Sequence, residues 1–204
     1  MLGSTEIVKV MAAKSLESVS DKEKRRLKSE LYAFNLLVSY SWGDYGRAKE
    51  EIIRVLRALG DENPLVRRTF AEGIIGVKTC LDSREVVHGL RRLFDEDPSL
   101  IQHTLKWVPV DLWTYSDMES MKKAVAELGK GIEAGEKWRM TVEKRRYTQC
   151  HRIGIIRELA ELIDRKVDLE NPDKIVRIDI IGKYAGLALL KPQNIFSTAK
   201  PLLS

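Results

Sequence analysis

A chain of 204 residues with 44% hydrophobic content has material for one large or two small packed cores, and no apolar run reaches the length of a membrane helix. Cys80 and Cys150 are too few for a disulfide framework and lie in no zinc-binding spacing, and the N-terminus has no secretory signal. A reducing, cytoplasmic setting without metal or cofactor is therefore expected. The formal net charge of +5 is localised, because residues 137–166 hold nine Lys or Arg against four Asp or Glu.

Residues 1–33 carry the charged run from Asp21 to Lys28, which reads either as a frayed, solvated helix or as a mobile basic arm. From Phe34 a period-two alternation of Phe34, Leu36, Val38 and Tyr40 predicts a strand. Ile52, Val55, Leu56 and Leu59 then recur at helical spacing, and Gly60 with Pro64 closes that helix. Two strands over 66–71 and 74–81 are expected to meet at Glu72-Gly73. Asp82 or Ser83 caps a helix whose buried side is Val86, Val87, Leu90, Leu93 and Phe94, and residues 105–112 supply a last strand. The order β-α-β-β-α-β over 34–116 predicts a ferredoxin-like domain, a four-stranded antiparallel sheet backed by two helices.

A second domain is expected over 117–204. Ser116 or Asp117 caps a helix lined by Met121, Ala124, Val125, Leu128 and Ile132, which ends at Gly135. In the next strand Trp138, Met140 and Val142 point to the core, whereas Arg139, Thr141 and Glu143 take the other face. There the apolar alternation stops, and Lys144, Arg145 and Arg146 follow in a row before Tyr147. Ile155, Ile156, Leu159, Leu162 and Ile163 form another helical stripe. Strands over 175–181 and 184–190 are joined by the two-residue turn Gly182-Lys183. This half reads α-β-α-β-β, and the whole chain belongs to the α+β class.

No nucleotide-binding loop, metalloprotease pair or nucleophile elbow occurs, so the expected role is non-enzymatic. His88 and His103 read as packing or surface histidines; His151, just past the basic row, reads equally as a surface residue or as a phosphate or base contact. Lys144, Arg145 and Arg146 are either a solvated charge run or a grip for a polyanion.

Several words of the second half resemble a THUMP domain. They are Val142-Glu143-Lys144-Arg145-Arg146, Arg157-Glu158-Leu159-Ala160, and Lys166-Val167-Asp168-Leu169-Glu170-Asn171-Pro172-Asp173, followed by the apolar hairpin. This is the RNA-binding module of tRNA thiouridine synthetases, several RNA methyltransferases and an acetylation adaptor. The helix Val86-Val87-His88-Gly89-Leu90, the strand Trp107-Val108-Pro109-Val110 and the ending Leu187-Ala188-Leu189-Leu190-Lys191-Pro192 make the chain most similar to the stand-alone tRNA-binding adaptor of the tRNA cytidine N4-acetyltransferase. Neither the pyrophosphatase loop of a thiouridine synthetase nor the Gly-rich fold of a methyltransferase follows, as expected of an adaptor. Asn171-Pro172-Asp173 lacks the second proline and aromatic of an amino-methyltransferase motif and reads as a turn.

The resemblance implies binding of the tRNA acceptor stem and its 3′ CCA end, with a separate acetyltransferase as partner. It places Arg139, Lys144, Arg145, Arg146, Tyr147, His151 and Arg152 around the tail. Arg165 and Lys166 are further candidates, although cations there also serve a helix C-terminus. Lys183, Lys191 and Asn194 complete the set. The competing expectations are a protein-interaction module, or a detached RNA-binding subunit of a tRNA thiolation or methylation enzyme.

Overall fold

The computed structural model describes residues 33–41 and 43–198, so the arm with its charged run lies outside the described residues. Strand β1 (Leu36–Tyr40) sends Leu36, Val38 and Tyr40 into one core and Leu37 to the opposite side. Helix α1 (Tyr45–Ala58) adds Ala48, Ile52, Val55 and Leu56 to that core. It also buries Glu51, whose carboxylate accepts from the amides of Gln102, His103 and Thr104 at 2.7, 2.9 and 2.8 Å and from the Thr104 hydroxyl at 2.7 Å. A buried carboxylate is tolerated where donors replace its water, and here it pins the chain entering β4.

Strands β2 (Leu65–Arg68) and β3 (Ile74–Lys78) form the expected hairpin, shorter than expected. Helix α2 (Ser83–Glu96) is capped by Asp82, which accepts from the amides of Arg84 and Glu85. Strand β4 (Thr104–Pro109) pairs with β1, giving the antiparallel order β2-β3-β1-β4.

The single strand expected over 105–112 is two. After Pro109 the chain leaves the first sheet, and β5 (Leu112–Tyr115) pairs with β8 (Tyr184–Leu190) in a second one. At the crossing, Asp111 takes the Arg84 guanidinium at 2.7 Å and the Leu189 amide at 2.9 Å. A return crossing occurs near the other end, where β9 (Phe196–Ser197) joins β4 as the fifth strand of the first sheet. Strands therefore cross residue 116 in both directions, and both sheets fall in one compact unit.

Helix α3 (Met118–Gly129) is capped by Asp117 and is followed by β6 (Trp138–Arg145), helix α4 (Arg152–Ala160) and β7 (Lys174–Ile181). The second sheet runs β5-β8-β7-β6, with β6 and β7 parallel and the other pairs antiparallel. Trp138, Met140 and Val142 face a core shared with Val125, Ile155 and Leu159 of the helices. The opposite face meets the first sheet through thin apolar seams, Leu37, Ala71, Ile74 and Val110 with Ile181, and Val108 with Ala188 and Leu190. Trp113 of β5 spans the seam, donating its indole N–H to the Phe34 carbonyl at 2.7 Å; its ring crowds Gly186, where a Cβ would lie 3.1 Å from it. Beside the seam a fully desolvated fork, Arg177 Nε and Nη2 to the Asp179 carboxylate at 2.7 and 2.8 Å, occupies the same face.

The Asp-Leu-Glu-Asn-Pro-Asp stretch is a staple at the entry to β7. Asp168 Oδ1 accepts from the amides of Glu170 and Asn171, its Oδ2 meets Lys137 Nζ at 3.0 Å, and Asp173 exchanges two bonds with the Lys137 backbone. Pro172 is buried in this turn, as the sequence predicts.

Candidate nucleic-acid interface

Because β6 and β7 are parallel and α4 crosses between them, the carboxyl end of both strands and the amino end of α4 share one side of the second sheet. Such ends collect exposed backbone N–H groups and are where open sheets with parallel strands bind ligands. The β7–β8 turn joins them, for the Gly182 amide donates to the Arg145 carbonyl at 3.0 Å. Gly182 has φ +60, the positive value that the first position of this tight turn requires, and Lys183 stands exposed beside it. Ser116 ties the start of α3 to the same place, its hydroxyl donating to the Gly182 carbonyl at 2.9 Å and its amide to that of Lys183 at 3.0 Å.

On this end Arg145, Arg146, Arg152 and Lys183 make no side-chain hydrogen bond or ion pair among the described residues. His151 occupies the N-cap position of α4 without a side-chain capping bond and is exposed. Lys144 points to the helix side of the strand and donates to the Cys150 carbonyl at 2.7 Å, fixing the loop that carries these cations. Asp117 is an anion near this end, and its carboxylate is committed to the Ser120 amide, which holds its pKa below the usual aspartate range.

Tyr147 departs from expectation. It is 8% exposed and packs in the second core, and burial pushes its phenol pKa up. The cause is local: Arg146 adopts φ 52, a left-handed conformation uncommon for a side-chain-bearing residue, and this reversal swings Tyr147 inward and Arg146 outward.

The remaining candidates lie at the other end of the second sheet, about 23 Å away along the seven residue steps of β6. Arg139 donates to the Leu169 carbonyl at 2.8 Å and braces the staple loop. Arg165 is held by the carbonyls of Ile132 and Asp164 at 3.2 and 2.7 Å. Lys166 is exposed, and its carbonyl accepts from the Trp138 amide. Lys191 is exposed past β8; Asn194 is 7% exposed, takes the Lys191 amide at 2.9 Å and reaches His88 at 3.2 Å. Asn194 is thus a structural cap. The structure gathers Lys144, Arg145, Arg146, His151, Arg152 and Lys183 and separates them from the other five exposed or bonded candidates, with Tyr147 withdrawn into the core.

The sequence reading passed over an aromatic stack at the gathered end. Tyr184 lies between Phe70, at 6.3 Å and 22°, and Tyr115, at 5.8 Å and 28°. The residues sit in strand-like or turn stretches where tyrosine reads as core, and the ladder pairing that aligns them is not visible in one dimension.

Residues 115–190 match the THUMP domain family. No curated protein sequence matches the chain significantly. Among solved structures, PH1313 from Pyrococcus horikoshii Ot3 is 16% identical with a TM-score of 0.56, covering 78% of this chain and 55% of that one. TrmN from Thermus thermophilus is 15% identical with a TM-score of 0.51, covering 78% and 46%. A 4-thiouridine synthetase solved in complex with RNA and ATP is 17% identical with a TM-score of 0.49, covering 80% and 42%. At these identities the first two show a likeness of fold, and this chain spans about half the length of each. Residues 115–190 of this mixed α and β chain, from the end of β5 through β8, are a THUMP domain.

Proposed function

We propose that this chain is a non-catalytic, cytoplasmic tRNA-binding adaptor that grips the acceptor stem and 3′ CCA end and presents the tRNA to a separate modification enzyme, the cytidine N4-acetyltransferase. The observation that carries the binding half is the gathering of Arg145, Arg146, Arg152 and Lys183, unpartnered among the described residues, at the end of the second sheet where β6 and β7 finish, in a THUMP domain. Arginine grips phosphate with two parallel hydrogen bonds and lies flat on an exposed base, which suits an unpaired RNA end better than the deep groove of a duplex. We also read β1–β4 with α1 and α2 as a ferredoxin-like unit; their antiparallel order supports it. The acetylation partner rests on the short likenesses in α2, β4 and β8.

Replacing Arg145 and Arg146 together by Glu should abolish binding of a tRNA transcript in a filter or anisotropy assay, whereas Lys166→Glu at the far end should change affinity by less than about threefold. Equal effects of the two changes would reject this end as the interface. Nucleoside mass spectrometry of tRNA from cells lacking the gene tests the partner: loss of N4-acetylcytidine is expected, and loss of a thiouridine or methylated base would reassign it.

A further inference from the structure

Strand β6 is an edge of the second sheet, and at eight residues it is the longest edge strand among the described residues; β2, β5 and β9 have four, four and two. The Lys137 carbonyl accepts from the Lys174 amide and the Arg145 carbonyl from the Gly182 amide, so the odd-numbered residues of β6 turn their backbone groups to β7. Backbone direction alternates along a strand, and Trp138, Met140, Val142 and Lys144 therefore turn theirs outward. Those of Trp138 are taken: its amide donates to the Lys166 carbonyl at 3.0 Å and its carbonyl accepts from the Asp168 amide at 2.9 Å, a single parallel bridge. After Asp168 the chain turns away into the staple loop, and the outward groups of Met140, Val142 and Lys144 have no hydrogen-bond partner among the described residues. The lane that residues 166–168 enter thus stays open for about 13 Å, the length of the four residue steps that follow.

Exposed apolar side chains gather in the segment that borders this lane. Six large hydrophobic side chains are exposed among the described residues, and four of them, Ile153, Leu162, Val167 and Leu169, lie in the connection from β6 to β7. That connection adjoins the edge, because α4 lies against β6 and Val167 forms the bridge. Long edges are ordinarily shortened, bulged or covered, and apolar groups exposed beside an open one mark a surface for another protein. We infer that β6 receives an extended segment of a partner protein, acidic and apolar in alternation, which adds a strand to the second sheet over Met140 to Lys144. Main-chain hydrogen bonds to the edge hold such a segment, and the cation excess of residues 137–166 selects acidic side chains on it. A second copy of this chain is a worse occupant: the fullest two-fold pairing, centred on Val142, sets Arg139 opposite Arg145 and runs into the bridge at Trp138. RNA is a worse one too, since the edge carbonyls repel its phosphates and Val167 and Leu169 offer them no charge. The inference rests on the adaptor reading and adds to it the surface by which the modification enzyme is held.

The test follows amide hydrogen exchange by NMR in the full, isotopically labelled chain, with two short synthetic peptides as probes, one alternating Glu with Val and the other Lys with Val. In the free chain the amides of Met140, Val142 and Lys144 should exchange about tenfold or more faster than those of Thr141 and Glu143; equal rates would show the edge already covered and overturn the proposal. The Glu peptide, at about ten times its dissociation constant, should slow the three outward amides about tenfold, and the Lys peptide should not. Val167→Glu with Leu169→Glu, both at exposed positions, should weaken the Glu peptide by about tenfold or more while tRNA affinity changes by less than about twofold. Failure of the Glu peptide to slow these amides, an equal loss of tRNA affinity in the variant, or a wild-type dimer that the variant abolishes would each overturn the proposal. Purified cytidine N4-acetyltransferase should displace the Glu peptide. If the peptide binds along the edge and this enzyme does not displace it, the docking strand stands and the named partner falls.

Discussion

Asp179→Ala isolates the cost of the ion pair buried between the sheets. Arg177 and Asp179 are 6% and 7% exposed, and the guanidinium makes both of its short bonds, at 2.7 and 2.8 Å, to this one carboxylate. Its remaining neighbour of opposite charge, Glu143, stands 4.0 Å away with 36% of its side chain in solvent, too far and too wet to replace the fork. Deleting one partner of a buried pair strands a charge and costs about 3–5 kcal/mol, a large share of the total stability of a domain this size. At about 2–4 °C per kcal/mol the melting temperature should fall by about 6–20 °C. Urea unfolding followed by tryptophan fluorescence, together with calorimetry, reads both quantities. Replacing both partners, Arg177→Met with Asp179→Leu, should recover most of the loss, since apolar groups of similar volume need no desolvated charge. A loss below about 1 kcal/mol in Asp179→Ala would refute the reasoning, because it would mean that water reaches the guanidinium between the sheets.

Glu51→Ala should cost about 3 kcal/mol or more in the same unfolding assay, since it strands three backbone amides and a hydroxyl at the entry to β4; a change under about 1 kcal/mol would show those donors finding water. Asp168 is held below the ordinary aspartate pKa first by the Asn171 amide and then by Lys137, so its grip on the staple loop is complete above the unfolded value and is lost only as pH falls through the lower folded one. The Glu170 and Asn171 amide shifts should accordingly titrate with a midpoint below that of an unstructured aspartate, and a midpoint at or above it would contradict the hydrogen-bond pattern.

Apolar periodicity carried most elements into view, because each α-helix has one buried stripe, β6 alternates buried and part-exposed residues, and β7 and β8, buried on both faces, read as short apolar runs. It did not show where the chain changes sheets: Trp107, Val110 and Trp113 continue an apolar run, and the crossing is made by Asp111 pairing with Arg84, a contact distant in sequence. The two-residue pairing of Phe196 with Trp107 is likewise too short to leave a pattern. The basic row at 144–146 was legible as a surface feature, and the exposed Arg146 lies where the row implied. Tyr147 was not, because a positive φ at an arginine has no sequence signature, unlike the same conformation at Gly182. Glu51 was hidden for a related reason: a carboxylate within a helical stripe reads as surface until the amides that satisfy it are placed across the sheet.

The salt dependence of tRNA binding bears most directly on the cationic end of the THUMP domain. If Arg145, Arg146, Arg152 and Lys183 each neutralise a phosphate, the slope of log affinity against log salt should be about −3, and the Arg145→Glu, Arg146→Glu variant should bind too weakly to measure a slope at all. A flat response in the wild type, or a charge-reversed variant with affinity and slope unchanged, would contradict the account.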